Sequence, residues 1–190
     1  MIIDYVALLL INMAAGFLLL AAFLFKGFDS EDRAKWAPAF LAVGLVAFIN
    51  GLHMIWNWPL PGPYNSAFGE MSVLLGALFL GAAWATGKNL SMGPLGLYAL
   101  LPGLAAIDVG LRIINLHLTK APGLSGIGFI LSGLGGVLAA GAFCSRSNRG
   151  LRYLMGLVLL AAAFIWAFTG LMAYWGHLES FGKWAPATMK

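Results

Sequence analysis

The apolar positions of this chain run together in six long blocks, near Tyr5 to Phe25, Ala37 to Trp58, Phe68 to Thr86, Pro94 to Leu118, Gly126 to Cys144 and Leu151 to His177. Each is long enough to cross ~30 Å of hydrocarbon as a helix. The polar positions between them carry helix-ending chemistry: Asp29 to Asp32, the prolines from Pro59 to Pro63, Gly87 to Gly93, Lys120 to Gly123 and Ser145 to Gly150. Connections this short place consecutive helices antiparallel. The first block has no basic stretch ahead of it and leads straight into further spans, so it reads as a retained helix and not a cleaved signal.

Composition strengthens this reading. With 61% hydrophobic and 9% charged residues and a mean hydropathy of +0.88, the chain is far from the roughly 25% charged residues of a soluble domain. The expected fold is an all-α integral membrane protein, residues 1–190 forming one six-helix transmembrane domain. Its formal charge of +4 is scattered over loops, with no basic run for nucleic acid. The lone Cys144 excludes an internal disulfide and a cysteine-based metal cluster. Lys26, Arg33, Lys35, Lys88, Arg146, Arg149 and Arg152 fall in the first, third and fifth connections, against Lys120, Lys183 and Lys190 on the other side. The excess of Lys and Arg places the odd loops in the cytoplasm and both termini outside the cell (inner) membrane.

A repeat lies beneath the blocks. At a spacing of 60, Asn12 aligns with Ser72 and Ser132, Gly16 with Gly76 and Gly136, and Leu18 with Leu78 and Leu138, while the even spans finish at His53, His117 and His177. This reads as three antiparallel hairpins with a pseudo-threefold internal repeat. The competing explanation is chance, because Ala, Gly and Leu are abundant.

Candidate chemistry is concentrated from Asn50 to Glu70, NGLHMIWNWPLPGPYNSAFGE. Asn50, His53 and Asn57 fall on one helical face. The prolines then stop the helix, and Glu70 enters the next. Span four carries Asp108, Arg112, Asn115 and His117; span six ends with His177; Asn12 and Trp166 lie within spans. Inserting an ionisable group at mid-bilayer costs at least ~2.5–3.5 kcal/mol, so each needs a partner or a water-filled cavity. Asp108 and Arg112, at i and i+4, are placed to pair. On the expected orientation, the ionisable groups within the spans lie in the outer half and the inner half holds almost none. That predicts an outward-facing polar vestibule sealed beneath by apolar side chains.

Each residue also has a plainer reading. Histidines near helix ends are more often interfacial than ligands. The Asp108–Arg112 pair reads equally as a clamp between helices, Asn12 and Asn50 as interhelical hydrogen-bonding glue, and Glu70 as a complement to the helix dipole. Trp56, Trp58, Trp175 and Trp184 suit an aromatic belt. Trp166, flanked by Phe164 and Phe168, reads as a lipid-facing ring or as a constriction in a pore.

Two family resemblances attach to these residues. GLHM followed by WPLPGPYNSAFGE resembles the signature of a bacterial and archaeal family of six-span membrane proteins without assigned function. More distantly, YVALLLINMAAG with the Lys-Gly-x-Asp turn and AFLAVGLVAF, and FGEMSVLLGALFLGAAWATGKNL, resemble the first hairpin and third span of the urea/amide channel family. That resemblance implies a ring of protomers, each with a narrow aromatic-lined pore for small neutral solutes. The chain departs from it in having no glutamate between Leu151 and Tyr174.

The expected function is therefore a channel or facilitator for a small polar or neutral solute, in a homo-oligomer. No cofactor is expected on that reading. The alternative is a redox or sensory membrane subunit with a metal or haem held by His53, His117 and His177 with Glu70 or Asp108. A third is a structural accessory subunit.

Overall fold

A computed structural model describes residues 4–144 and 148–180. Six helices form: α1 (Tyr5–Ala22), α2 (Ala37–Asn57), α3 (Met71–Gly87), α4 (Gly93–Asn115), α5 (Pro122–Ala142) and α6 (Arg149–Glu179). All six, with their flanking turns, are long and apolar enough to cross a membrane. The chain is a multi-pass membrane protein. Two spans are lengthened by π-helical turns, Phe23–Gly27 after α1 and Asn65–Glu70 before α3, a geometry concentrated at functional positions.

The helix ends follow local chemistry. Asp4 caps α1, its Oδ1 accepting the Ala7 N–H at 3.3 Å. Asn148 caps α6 through Leu151. Pro122 opens α5 from within the expected connection, because a first-turn proline gives up an N–H that had no partner there. At its far end α4 stops at Asn115, and His117 takes a left-handed φ of 51°. Span four is thus shorter than its apolar block.

Packing is closest between α4 and α5, α2 and α3, and α1 and α6, with α5 also against α6, whereas α3 and α4 meet lightly. Glycine sets the first of these contacts. A methyl group built on Gly103 would lie 2.6 Å from the Gly133 carbonyl oxygen, and one on Gly110 would lie 2.7 Å from that of Gly126. The glycine-rich run from Gly133 is therefore used inside the chain, Gly133 and Gly136 against α4 and Gly135 against Leu159 of α6.

The two ends of the bundle differ. One, the histidine end, gathers Asp4, the loop of prolines, the α4–α5 connection and the last turn of α6. The other, the arginine end, gathers Asp29, Arg33, Arg149 and Arg152. Between them the core is apolar, with Leu9, Phe23, Phe40, Met54 and Ala162 wholly buried.

Candidate functional site

Two cavities lie in line between the helices. The first, about 550 Å³ at the histidine end, is walled by Leu10, Tyr64, Phe68, Thr119 to Ala121, Leu124, Ser125, and the α6 face from Trp166 to His177. The second, a half-open chamber of about 110 Å³ among α1, α3, α4, α5 and α6, is walled by Met13, Phe17, Met71, Phe79, Phe129 and Leu159, together with residues of α4 around Pro102. They share no lining residue. Their linings follow one another about one turn apart on α1 (Leu10, then Met13), from the π-helical turn into α3 (Phe68, then Met71) and on α5 (Ser125, then Phe129).

An aromatic partition separates them. Phe68 and Phe129 meet edge to face with ring centroids 5.4 Å apart, and Phe129 meets Trp166 in the same way at 5.3 Å. Trp166 is 1% exposed, and at a rise of 1.5 Å per residue it lies about 20 Å inside the histidine end of α6. Its Nε1–H donates to Ser132 Oγ at 2.9 Å, and Ser132 donates to the Gly128 carbonyl at 2.7 Å. Gly128 makes room for the ring, since a methyl group there would lie 2.7 Å from Trp166 Cζ2. The indole is thus held by shape and by one hydrogen bond. Ser132 is also the one polar side chain on the chamber wall among the described residues.

The mouth of the first cavity is braced by polar contacts. His177 Nδ1 lies 2.5 Å from Asp4 Oδ2, closing α6 onto α1. Next to it the Tyr5 hydroxyl lies 3.0 Å from His53 Nδ1, closing α1 onto α2. In the loop of prolines, Asn65 is fully buried; its Oδ1 accepts the Leu60 N–H at 3.2 Å and its Nδ2 donates to the Leu60 carbonyl at 2.5 Å. Tyr64 donates its hydroxyl to the Leu118 carbonyl, tying this loop to the α4–α5 connection.

At the arginine end Phe143, on the chamber wall, stacks on Phe28 at 5.6 Å. The Arg152 guanidinium sits 4.6 Å from the Phe28 ring centroid and donates to Asp29 Oδ2 at 2.8 Å. Arg149 Nε lies 3.7 Å from the same oxygen, and Arg33 lies over Phe28 at 5.7 Å. Arg152 and Arg33 are 2% and 6% exposed. Two arginines that the sequence places in connections are thus buried at this end, on aromatic faces and, for Arg152, on a carboxylate.

The polar residues singled out from the sequence are distributed unevenly. Of these, His177 and Trp166 line the first cavity. His53 is half-buried beside it on Tyr5. Asn12 bridges helices by donating to the Val43 carbonyl at 3.0 Å, while Asn50 and Asn57 donate to carbonyls of their own helix, Val46 and His53. Glu70, Asp108, Arg112, Asn115 and His117 are exposed and lie on neither cavity wall. Asp108 and Arg112 do not pair: neither joins an ion pair among the described residues. Their side chains leave α4 on its outer face, and the expected vestibule lining loses them. His53 and His177 are engaged with Tyr5 and Asp4, neighbours at the start of α1, and His117 is exposed just after α4. Among the described residues no three His, Cys, Asp or Glu side chains come together to hold a metal. Trp56, Trp58 and Trp175 are exposed near the histidine end, as a belt requires, and Trp184 lies outside the described residues.

A family model described as "Protein of unknown function (DUF981)" matches residues 1–180. The chain belongs to DUF981. No curated protein and no solved structure matches it. In this DUF981 chain the residues that sequence reasoning passed over are Phe129, Ser132, Tyr64, Asn65, Arg33 and Arg152. Signals for some were present: Tyr64 and Asn65 stand inside the WPLPGPYNSAFGE run, and Ser132 occupies a repeat position shared with Asn12 and Ser72. Phe129 had none, being one phenylalanine among 13.

Proposed function

We propose that this DUF981 protein is a channel or facilitator for small neutral solutes, each protomer carrying its own path. The observation that carries the reading is the pair of cavities in line, divided by Phe68, Phe129 and Trp166 and closed beyond the chamber by Phe143, Phe28 and Arg152. On this reading the histidine end faces outward and the arginine end faces the cytoplasm, supported by the excess of Lys and Arg in the odd connections. A solute would enter over Tyr64, Thr119, Ser125 and His177, pass the indole of Trp166, and cross a wall with one hydroxyl. Charge is selected against there, because an ion in an apolar chamber loses its hydration with no compensating group. A neutral amide or polyol meets a smaller barrier and has Ser132 to bond on the way.

The test is stopped-flow light scattering of proteoliposomes with urea, acetamide and glycerol, against ammonium and formate salts. Neutral solutes should equilibrate several-fold faster than in empty vesicles, and the ions should not. Flux of every neutral solute equal to that of empty vesicles, with correctly inserted protein, overturns the proposal.

A further inference from the structure

The outer face of α4 carries a pattern that the solute path does not use. Leu97, Leu101, Leu104, Asp108, Leu111 and Asn115 are all exposed, at successive spacings of four and three residues. That alternation is the seam of a helix packed along another helix in left-handed register. Among the described residues the chain supplies no partner, since α4 turns Gly96, Gly103 and Gly110 to α5 and leaves the leucine seam outermost. On leucines alone, lipid would be sufficient cover. Asp108 and Arg112 change that, because both are exposed and neither is paired. Asp108 lies seven residues, about 10 Å, inside the end of α4, and an ionisable group within a span is costly without a partner.

We infer that α4 packs along α4 of a second copy of this chain, with Asp108 of each paired to Arg112 of the other. Two copies inserted the same way bring their fourth helices together parallel and at equal depth. Each contributes one negative and one positive group a turn apart. A two-fold arrangement then gathers both carboxylates between both guanidiniums, and the cluster is neutral. The long arginine side chain spans the turn between the levels. No other helix of this chain offers the complementary pattern: among the described residues no other span exposes an acid and a base one turn apart. A single polar level within a leucine seam also fixes register, as buried polar positions do in coiled coils. The pairing stands independently of what the protomer transports.

Disulfide cross-linking in membranes tests it, in a Cys144→Ala background. Leu104→Cys should form a dimer on mild oxidation, and Leu171→Cys, on the exposed face of α6, should not. Charge exchange supplies the second arm. Asp108→Arg and Arg112→Asp should each reduce the Leu104→Cys dimer by tenfold or more, and the two together should restore it, with thermal unfolding of each variant showing that the protomer is folded. The inference is overturned if folded Leu104→Cys protein fails to cross-link, cross-links no better than Leu171→Cys, or is indifferent to the single charge changes. It is equally overturned if the double exchange fails to recover the dimer while folding is intact. Solute flux is not read in either arm, so failure here is separate from failure of the proposed transport.

Discussion

Replacing Trp166 by alanine removes the largest side chain of the partition and leaves Ser132 without its indole partner. The first cavity and the chamber would then join, so neutral-solute flux should rise several-fold and larger amides should enter. The same change removes a buried ring and should lower the unfolding temperature, at a cost of about 3–5 kcal/mol. Trp166→Phe keeps most of the ring, and its flux should fall between the two. At the other closure, Asp29→Asn takes the carboxylate from a buried guanidinium. The expected loss is on the order of 2 kcal/mol, below the about 3–5 kcal/mol of a fully buried pair because the Asp29 side chain is 43% exposed. Arg152→Met should cost less than Asp29→Asn, since it removes the charge along with its need for a partner. Thermal unfolding in detergent compares the two. These side chains also mark the limit of sequence reading at this scale. In a helix that is apolar all round, a leucine facing lipid and one facing the core are alike, so nothing told which way Asp108 or Glu70 points.

Helices were easier to read than their faces. Length and apolarity locate all six, because a span must satisfy its backbone within itself. The errors fall at ends decided by single residues, Pro122 at the start of α5 and the left-handed turn at His117 after α4. The π-helical turns carried no pattern to find them by. Close packing was legible as glycine content, while its address was not: the run from Gly133 suits a contact within or between protomers, and it is spent within, on α4 and α6. A direct consequence follows for α4 and α5. Gly103→Leu should drive them apart at the Gly133 carbonyl and sharply reduce the yield of folded protein, whereas Gly123→Ala, in open space, should be neutral. Fluorescence-detected size exclusion separates these outcomes.

For the whole molecule, the WPLPGPYNSAFGE run carried the resemblance to an uncharacterised six-span family, and the family match over residues 1–180 bears it out. The run earns its prominence structurally, because Tyr64 and Asn65 lock the loop at the mouth of the first cavity. What the sequence could not convey is how the spans gather around a common space, since that space is lined by residues from five helices with no shared motif. Its existence has a physical consequence beyond any solute. A half-open pocket of about 110 Å³ walled almost wholly by aliphatic and aromatic groups is of the kind that admits noble gases. Xenon pressurisation should fill the chamber in crystals, and Ala99→Val, narrowing it from α4, should lower xenon uptake.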